Sequence, residues 1–196
     1  MAYNGRWPAV TDVQWVFVPF YQNNVGVTSQ RSTVHKWDDG STTHENCPRG
    51  LQCKHGGYIG PNCACTCPLG LTGRECTQVV HSSSGCGGVL TGSSGKFSSP
   101  GYPQKYPIST SCTWLIQGRA GSSISLKFTS LDIEEDVNCF YDHLEVKTYG
   151  PTLDGPRYCG NTSPGEIRYN GNALVVKFVS DQQYTNYGFE AQYSIH

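Results

Sequence analysis

Six cysteines, Cys47, Cys53, Cys63, Cys65, Cys67 and Cys76, fall within thirty positions of this 196-residue chain, and no other feature constrains its fold as strongly. A unit that small cannot bury a sufficient apolar core and depends on covalent staples. Cys86, Cys112, Cys139 and Cys159 bring the total to an even ten, all after residue 46. Such density points to a disulfide framework in a secreted, extracellular setting. Spacing alone leaves the connectivity open.

A secreted chain is expected to open on a signal peptide. Here Met1 to Pro8 carry one charged side chain, and the best apolar run, Trp15 to Phe20, is interrupted by Pro19. The chain therefore reads as a piece of something longer. No stretch approaches the ~20 apolar residues of a membrane span. A formal net charge of −1 gives no basic field for nucleic acid. Glycine and proline, 23 and 11 residues, suit many turns between short strands better than helices, so the fold class is all-β.

Residues 1–46 lack cysteine and show little pattern. Val13 to Val18 could form a strand, and Asp38-Asp39-Gly40-Ser41 is a turn or linker signal. The segment is expected to be poorly ordered or loosely docked. Residues 47–76 are the cysteine-dense unit, with turns at Gly56-Gly57, Gly60-Pro61, Gly70 and Gly73. Residues 77–85 form a short polar linker.

The remainder, 86–196, alternates strand-like and turn-like stretches. Ser123–Ile133, His143–Lys147, Ala173–Val179 and Gly188–Ile195 read as strands bounded by Gly, Ser, Asn and Pro clusters. Regular short strands over this length predict a two-sheet antiparallel β-sandwich. Between Asp132 and Glu145 lie six of the chain's fifteen acidic residues, around Cys139. Unit charges ~4 Å apart repel by about 4 kcal/mol at an effective dielectric near 20. The carboxylates must therefore point apart into solvent or share a cation or a basic partner.

Two family resemblances follow from particular motifs. Cys53-Lys54-His55-Gly56-Gly57-Tyr58, followed by Cys65-Thr66-Cys67-Pro68-Leu69-Gly70-Leu71-Thr72-Gly73-Arg74-Glu75-Cys76, resembles an EGF-like module. That resemblance implies the disulfides Cys47–Cys63, Cys53–Cys65 and Cys67–Cys76. The long stretch from Cys53 to Cys63 and the single Ala64 before Cys65 are similar to the EGF module that follows the catalytic domain in astacin-type metalloproteases. A rival zinc site on His55 and the close cysteines fits poorly, because zinc ligands usually stand two to four residues apart. Glu45 lacks the acidic companions of calcium-binding EGF modules, so a spacer without calcium is expected at residues 47–76.

Cys86-Gly87-Gly88, Ser99-Pro100-Gly101-Tyr102-Pro103, Cys112-Thr113-Trp114, Tyr158-Cys159-Gly160 and Gly188-Phe189-Glu190-Ala191-Gln192-Tyr193, together with the acidic stretch, resemble a CUB domain over 86–196. The resemblance implies a jelly-roll-like sandwich with disulfides Cys86–Cys112 and Cys139–Cys159. It also implies a calcium site from Glu134, Asp142 and Asp181, with Tyr106 supporting and backbone carbonyls near Gln183 adding ligands. Calcium suits such oxygen-rich loops because it takes six to eight oxygen ligands. Asp132, Glu135, Asp136 and Glu145 are then expected to be surface charges, and Tyr106 to be a core aromatic leaning toward the site. A calcium-ordered acidic site can in turn grip a lysine or arginine of an extracellular protein partner. Asn161-Thr162-Ser163 is a glycosylation sequon.

Catalysis is not expected from the chain as given. An astacin-type zinc site needs His-Glu-x-x-His, but His44-Glu45 is followed by Asn46-Cys47-Pro48, so no zinc is expected. Arg6-Trp7-Pro8 and Val18-Pro19-Phe20 are similar to the opening of an astacin catalytic domain without its spacing, which makes 1–46 a candidate vestige of one. The expectation is a non-catalytic, calcium-dependent recognition region of an astacin/tolloid-like protease. The alternatives are a free-standing secreted adhesion or recognition protein and, with least support, an active zinc metalloendopeptidase.

Overall fold

The computed structural model describes residues 34–36, 42–44, 47, 50–60, 62–148 and 150–196. The expected strand at Val13 to Val18, the Asp38 to Ser41 turn and most of the 1–46 segment lie outside the described residues. Within that segment, strand Val34–Lys36 (β1) pairs antiparallel with Thr42–His44 (β2).

Among its described residues the cysteine-dense region holds short pairs, Tyr58–Ile59 (β3) with Cys65–Thr66 (β4), and Leu71–Thr72 (β5) with Gln78–Val79 (β6). Cys47–Cys63, Cys53–Cys65 and Cys67–Cys76 are disulfide-bonded there. His55 Nδ1 lies 2.8 Å from the Cys76 carbonyl oxygen. All ten cysteines are in disulfides, so no thiolate is left beside His55 to bind zinc.

Among the described residues nine further strands follow: Gly88–Leu90 (β7), Ser94–Ser98 (β8), Ser111–Gln117 (β9), Ile124–Asp132 (β10), His143–Val146 (β11), Arg157–Tyr158 (β12), Glu166–Tyr169 (β13), Ala173–Val179 (β14) and Gly188–Ile195 (β15). They form a four-stranded sheet in the order β13-β10-β15-β8 and a five-stranded sheet in the order β12-β11-β14-β9-β7. The pairs are antiparallel except β7 and β9, which run parallel with Gly88 opposite Trp114. A parallel pair needs a crossover; here the chain crosses through β8 in the other sheet before returning. Cys86–Cys112 ties the start of β7 to β9.

Side-chain alternation explains the two layers. On β10, Ile124, Leu126 and Phe128 turn inward while Lys127 and Thr129 are exposed. A register shift between Phe128 and Ser130 then returns Leu131 to the core. On β9 and β14, Cys112, Trp114, Ile116, Leu174, Val176 and Phe178 join that core. Phe189 sits at its centre, with ring centroids 5.6–6.1 Å from Phe97, Trp114, Phe128 and Phe178. Such aromatic pairs contribute roughly 0.5–1.5 kcal/mol each beyond area burial.

The outer face of the five-stranded sheet is also covered, which alternation alone does not anticipate. Leu115, Val175 and Ala173 form a second apolar cluster with Leu71, and Cys67 and Val79 pack against it. The stretch read as a polar linker thus carries β6 and an apolar side chain that meets the sandwich. Gly70 lies so close to Thr113 that a Cβ there would stand 2.7 Å from the Thr113 hydroxyl. Among the described residues no helix is long and apolar enough to cross a membrane.

Candidate functional site

Three loops meet at one end of the sandwich: residues 99–110 before β9, 133–142 between β10 and β11, and 180–187 between β14 and β15. Backbone and side-chain bonds lace them together. The Tyr106 amide donates to the Asn186 carbonyl at 3.1 Å, and the Ser109 amide donates to the Asp181 carbonyl. The Ser180 hydroxyl donates to the Pro107 carbonyl at 2.8 Å and accepts from the Thr110 amide at 3.0 Å.

Into this junction the chain delivers Glu134, Asp142 and Asp181. One carboxylate oxygen from each lies within 4.8 Å of the other two. Asp142 is fully buried. Its Oδ2 accepts the Tyr106 hydroxyl proton at 2.7 Å and its Oδ1 accepts the Asp181 amide at 2.6 Å. Tyr106, itself 1% exposed, packs edge-on to Phe178 at 5.1 Å. Its oxygen also accepts the Glu134 amide at 3.1 Å. Tyr106 is thus a core aromatic whose polar tip organises two carboxylate-bearing positions. Asp181 Oδ1 accepts the Gln183 amide at 2.8 Å, and the Gln183 side chain is exposed.

Glu134 Oε2 is buried without a hydrogen-bond partner. Burial first, then the negative charges of Asp142, Asp181 and Asp136, push the Glu134 carboxyl above its ordinary range. Burial likewise raises the Tyr106 phenol, helped by its bond to Asp142 and opposed by the Glu134 amide. At 4.8 Å two unit charges repel by roughly 3 kcal/mol at an effective dielectric near 20. Three carboxylates at this spacing, one with an orphan buried oxygen, suit a hard cation: the donors are all oxygen, as calcium prefers, and the orphan atom lacks only a positive partner.

The other acidic residues divide differently from expectation. Glu135 is exposed, and Asp136 is partly so. Asp136 Oδ2 accepts the Phe140 amide at 2.9 Å and the Asn138 amide at 3.3 Å, which lowers its pKa and caps its own turn. Cys139, at φ 48°, is joined to Cys159 beneath that turn. Asp132 is half-buried and accepts from the Asn186 side chain and the Tyr187 amide at 3.2 and 3.3 Å. Glu145, expected at the surface, is 4% exposed. It points to the outer face of β11, where the loop after Lys147 folds over it, and it accepts the Gly155 amide at 2.9 Å and faces Lys147 Nζ at 3.5 Å. Asn161 is exposed just after the Ile133–Gly160 bridge.

Sequence reasoning passed over Asn186 and the turn role of Asp136. The signals were slight: an Asn two residues before Gly188-Phe189, and an Asp ahead of a cysteine turn.

A nine-stranded two-sheet sandwich with a disulfide-held acidic loop end defines the class of CUB domains, and residues 86–193 match that family. The chain belongs to the CUB domain family. Among similar proteins, Blastula protease 10 of Paracentrotus lividus is 36% identical over 152 residues, which covers 77% of this chain and 26% of that protein. Tolloid-like protein 1 of Homo sapiens is 41% identical over 123 residues, covering 61% of this chain and 11% of that protein. The chain therefore spans about a quarter or less of the length of these curated relatives. The MASP-1 CUB2 domain bound to Ca2+ superposes with a TM-score of 0.50 at 30% identity, over 54% of this chain and 96% of that one. The CUB1-EGF-CUB2 domains of rat MASP-1 give 0.52 at 28% identity, over 76% of this chain and 54% of that one.

Proposed function

We propose that this chain is the non-catalytic EGF-CUB region of a secreted astacin-type metalloprotease and that it recognises an extracellular substrate or matrix protein in a calcium-dependent manner. The observation that carries this reading is the convergence of the Glu134, Asp142 and Asp181 carboxylates, with Glu134 Oε2 buried and lacking a hydrogen-bond partner. Calcium would be held by these three carboxylates and by backbone carbonyls near Gln183, with Tyr106 bracing Asp142 from behind. One divalent ion offsets most of the repulsion and leaves residual negative potential for a lysine or arginine of the partner. Residues 47–76 act as an EGF-like spacer, 77–85 join it to the CUB unit at 86–196, and Asn161 carries a glycan. The protease context is supported by the match to Blastula protease 10, which extends over 77% of this chain and so beyond the CUB unit.

The experiment is affinity capture from extracellular-matrix extract by the immobilised chain, with calcium or with chelator. Retained proteins should elute on chelation, and the Glu134→Gln, Asp142→Asn double variant should fail to capture them. Capture that is indifferent to both treatments contradicts the reading.

A further inference from the structure

Among the described residues eleven large apolar side chains are exposed, and six of them, Ile108, Val137, Phe140, Tyr141, Tyr184 and Tyr187, stand on the three loops that carry Tyr106 and the carboxylates. The other five are spread over the rest of the chain. The exposure is extensive: 95% for Val137, 74% for Phe140 and 72% for Tyr184. These loops do not need the side chains for their own order. Asp136 caps the 136–140 turn, Cys139–Cys159 anchors it, and the Tyr106–Asn186 and Asp132–Tyr187 bonds hold the third loop. Phe140 and Tyr141 meet only edge to face, at 5.8 Å, while both remain exposed. A phenylalanine so placed forgoes the stabilisation burial would give, and clustered exposed apolar groups beside polar ones mark interaction surfaces.

Charge selects the occupant. The three loops carry Glu134, Glu135, Asp136, Asp142 and Asp181 against a single cation, Lys105. Five carboxylates and one ammonium leave four negative charges, and one divalent ion halves that excess. The end of the sandwich is therefore an acidic centre with an aromatic and aliphatic rim. An anionic lipid surface would be repelled by it, whereas a basic protein segment complements it.

We infer that the partner is an extended protein segment whose lysine or arginine is flanked on both sides by apolar side chains, the basic group addressing the carboxylate centre and its neighbours packing on the Ile108, Phe140 and Tyr184 rim. The basic residue rests on the cation-site reading above; the apolar neighbours rest on the rim alone. Binding energy in protein interfaces concentrates in desolvated central anchors, and apolar contacts around such an anchor exclude water from it.

Three synthetic nonapeptides test it by fluorescence anisotropy against the full chain in calcium: a central lysine between leucines and phenylalanines, the same lysine between serines, and the apolar peptide with norleucine in place of lysine. The apolar-flanked lysine peptide is expected to bind about tenfold more tightly than the serine-flanked one. That advantage should disappear in a Phe140→Ser, Tyr184→Ser double variant, whose calcium-dependent melting shift serves as the check on the loop fold. Equal binding of the two lysine peptides overturns the rim. Norleucine binding as tightly as lysine overturns the cation-site half and leaves the rim standing. Stronger retention on phosphatidylserine vesicles than on any peptide, lost in the double variant, overturns a protein partner in favour of a membrane.

Discussion

The Tyr106 hydroxyl donates to Asp142 Oδ2 at 2.7 Å while accepting the Glu134 amide at 3.1 Å, so one buried phenol fixes two acidic positions from different ends of the 133–142 loop. The fold thereby builds the acidic cluster before any partner arrives. Tyr106→Phe keeps the ring against Phe178 but leaves Asp142 Oδ2 without its donor inside the protein. A lost hydrogen bond to a charged group costs about 1.5–3 kcal/mol. Chemical denaturation should show a loss of that size, and calcium titration of the variant should show weakened affinity. A variant with wild-type stability would show that the bond contributes nothing.

The contact between Leu71 and the outer face of the five-stranded sheet makes the cysteine-dense unit part of the sandwich's packing. Leu71 is 4% exposed, and its neighbours Leu115 and Val175 are buried. Leu71→Ala should cost about 2–3 kcal/mol in the sandwich's unfolding transition. Limited proteolysis should also cut faster in the 77–85 stretch. An unchanged digestion pattern and unchanged melting would mean that the two units do not depend on each other.

Gly188 opens β15 beside the site at φ +81°, and a Cβ there would collide with the Ser99 hydroxyl. That hydroxyl accepts the Phe189 amide at 3.1 Å, next to the central aromatic of the core. Gly188→Ala combines a left-handed backbone with a steric clash, and a loss of roughly 2 kcal/mol or more is expected. Thermal unfolding measures it. A variant within error of the wild type would count against this local geometry.

Lys177 lies on β14 with its ammonium lowered below the ordinary value of 10.5, chiefly by burial, with partial relief from Glu145. The sign follows from linkage: the unfolded chain holds this proton more tightly than the folded chain, so the charge costs stability throughout the neutral range. The cost is relieved as pH rises through the window between the lowered folded pKa and 10.5. Lys177→Met should therefore raise Tm at pH 7 by about 1–3 °C. A lower Tm would show that attraction to Glu145 outweighs desolvation.

Much of the sandwich was legible because its strands are amphipathic. The alternation at Ser123–Ile133 corresponds to β10 at Ile124–Asp132, and Ala173–Val179 is β14 itself. The burial of Glu145 was not legible, because a loop ten residues downstream covers it and period-two alternation reports only which face a side chain takes. Nor was the docking of Leu71 on Leu115 and Val175: an apolar residue on the outer face of a sheet has the same local pattern whether it meets water or another unit. Glu134 and Asp142 share the acidic window that charge counting finds, whereas Asp181 stands alone 39 residues later. Composition could not have joined it to them; the antiparallel pairing of β11 with β14 does, by placing His143 opposite Val179.

Calcium binding is the claim on which the functional account turns, and differential scanning calorimetry of the purified chain tests it most directly. With calcium added after exhaustive chelation, Tm should rise in proportion to the logarithm of calcium concentration above Kd, the signature of a ligand that binds only the folded state. The rise should be absent from Asp142→Asn and Glu134→Gln, and magnesium should reproduce little of it, because its small octahedral shell suits this loop cradle poorly. A wild-type Tm that stays constant up to millimolar calcium would contradict the account.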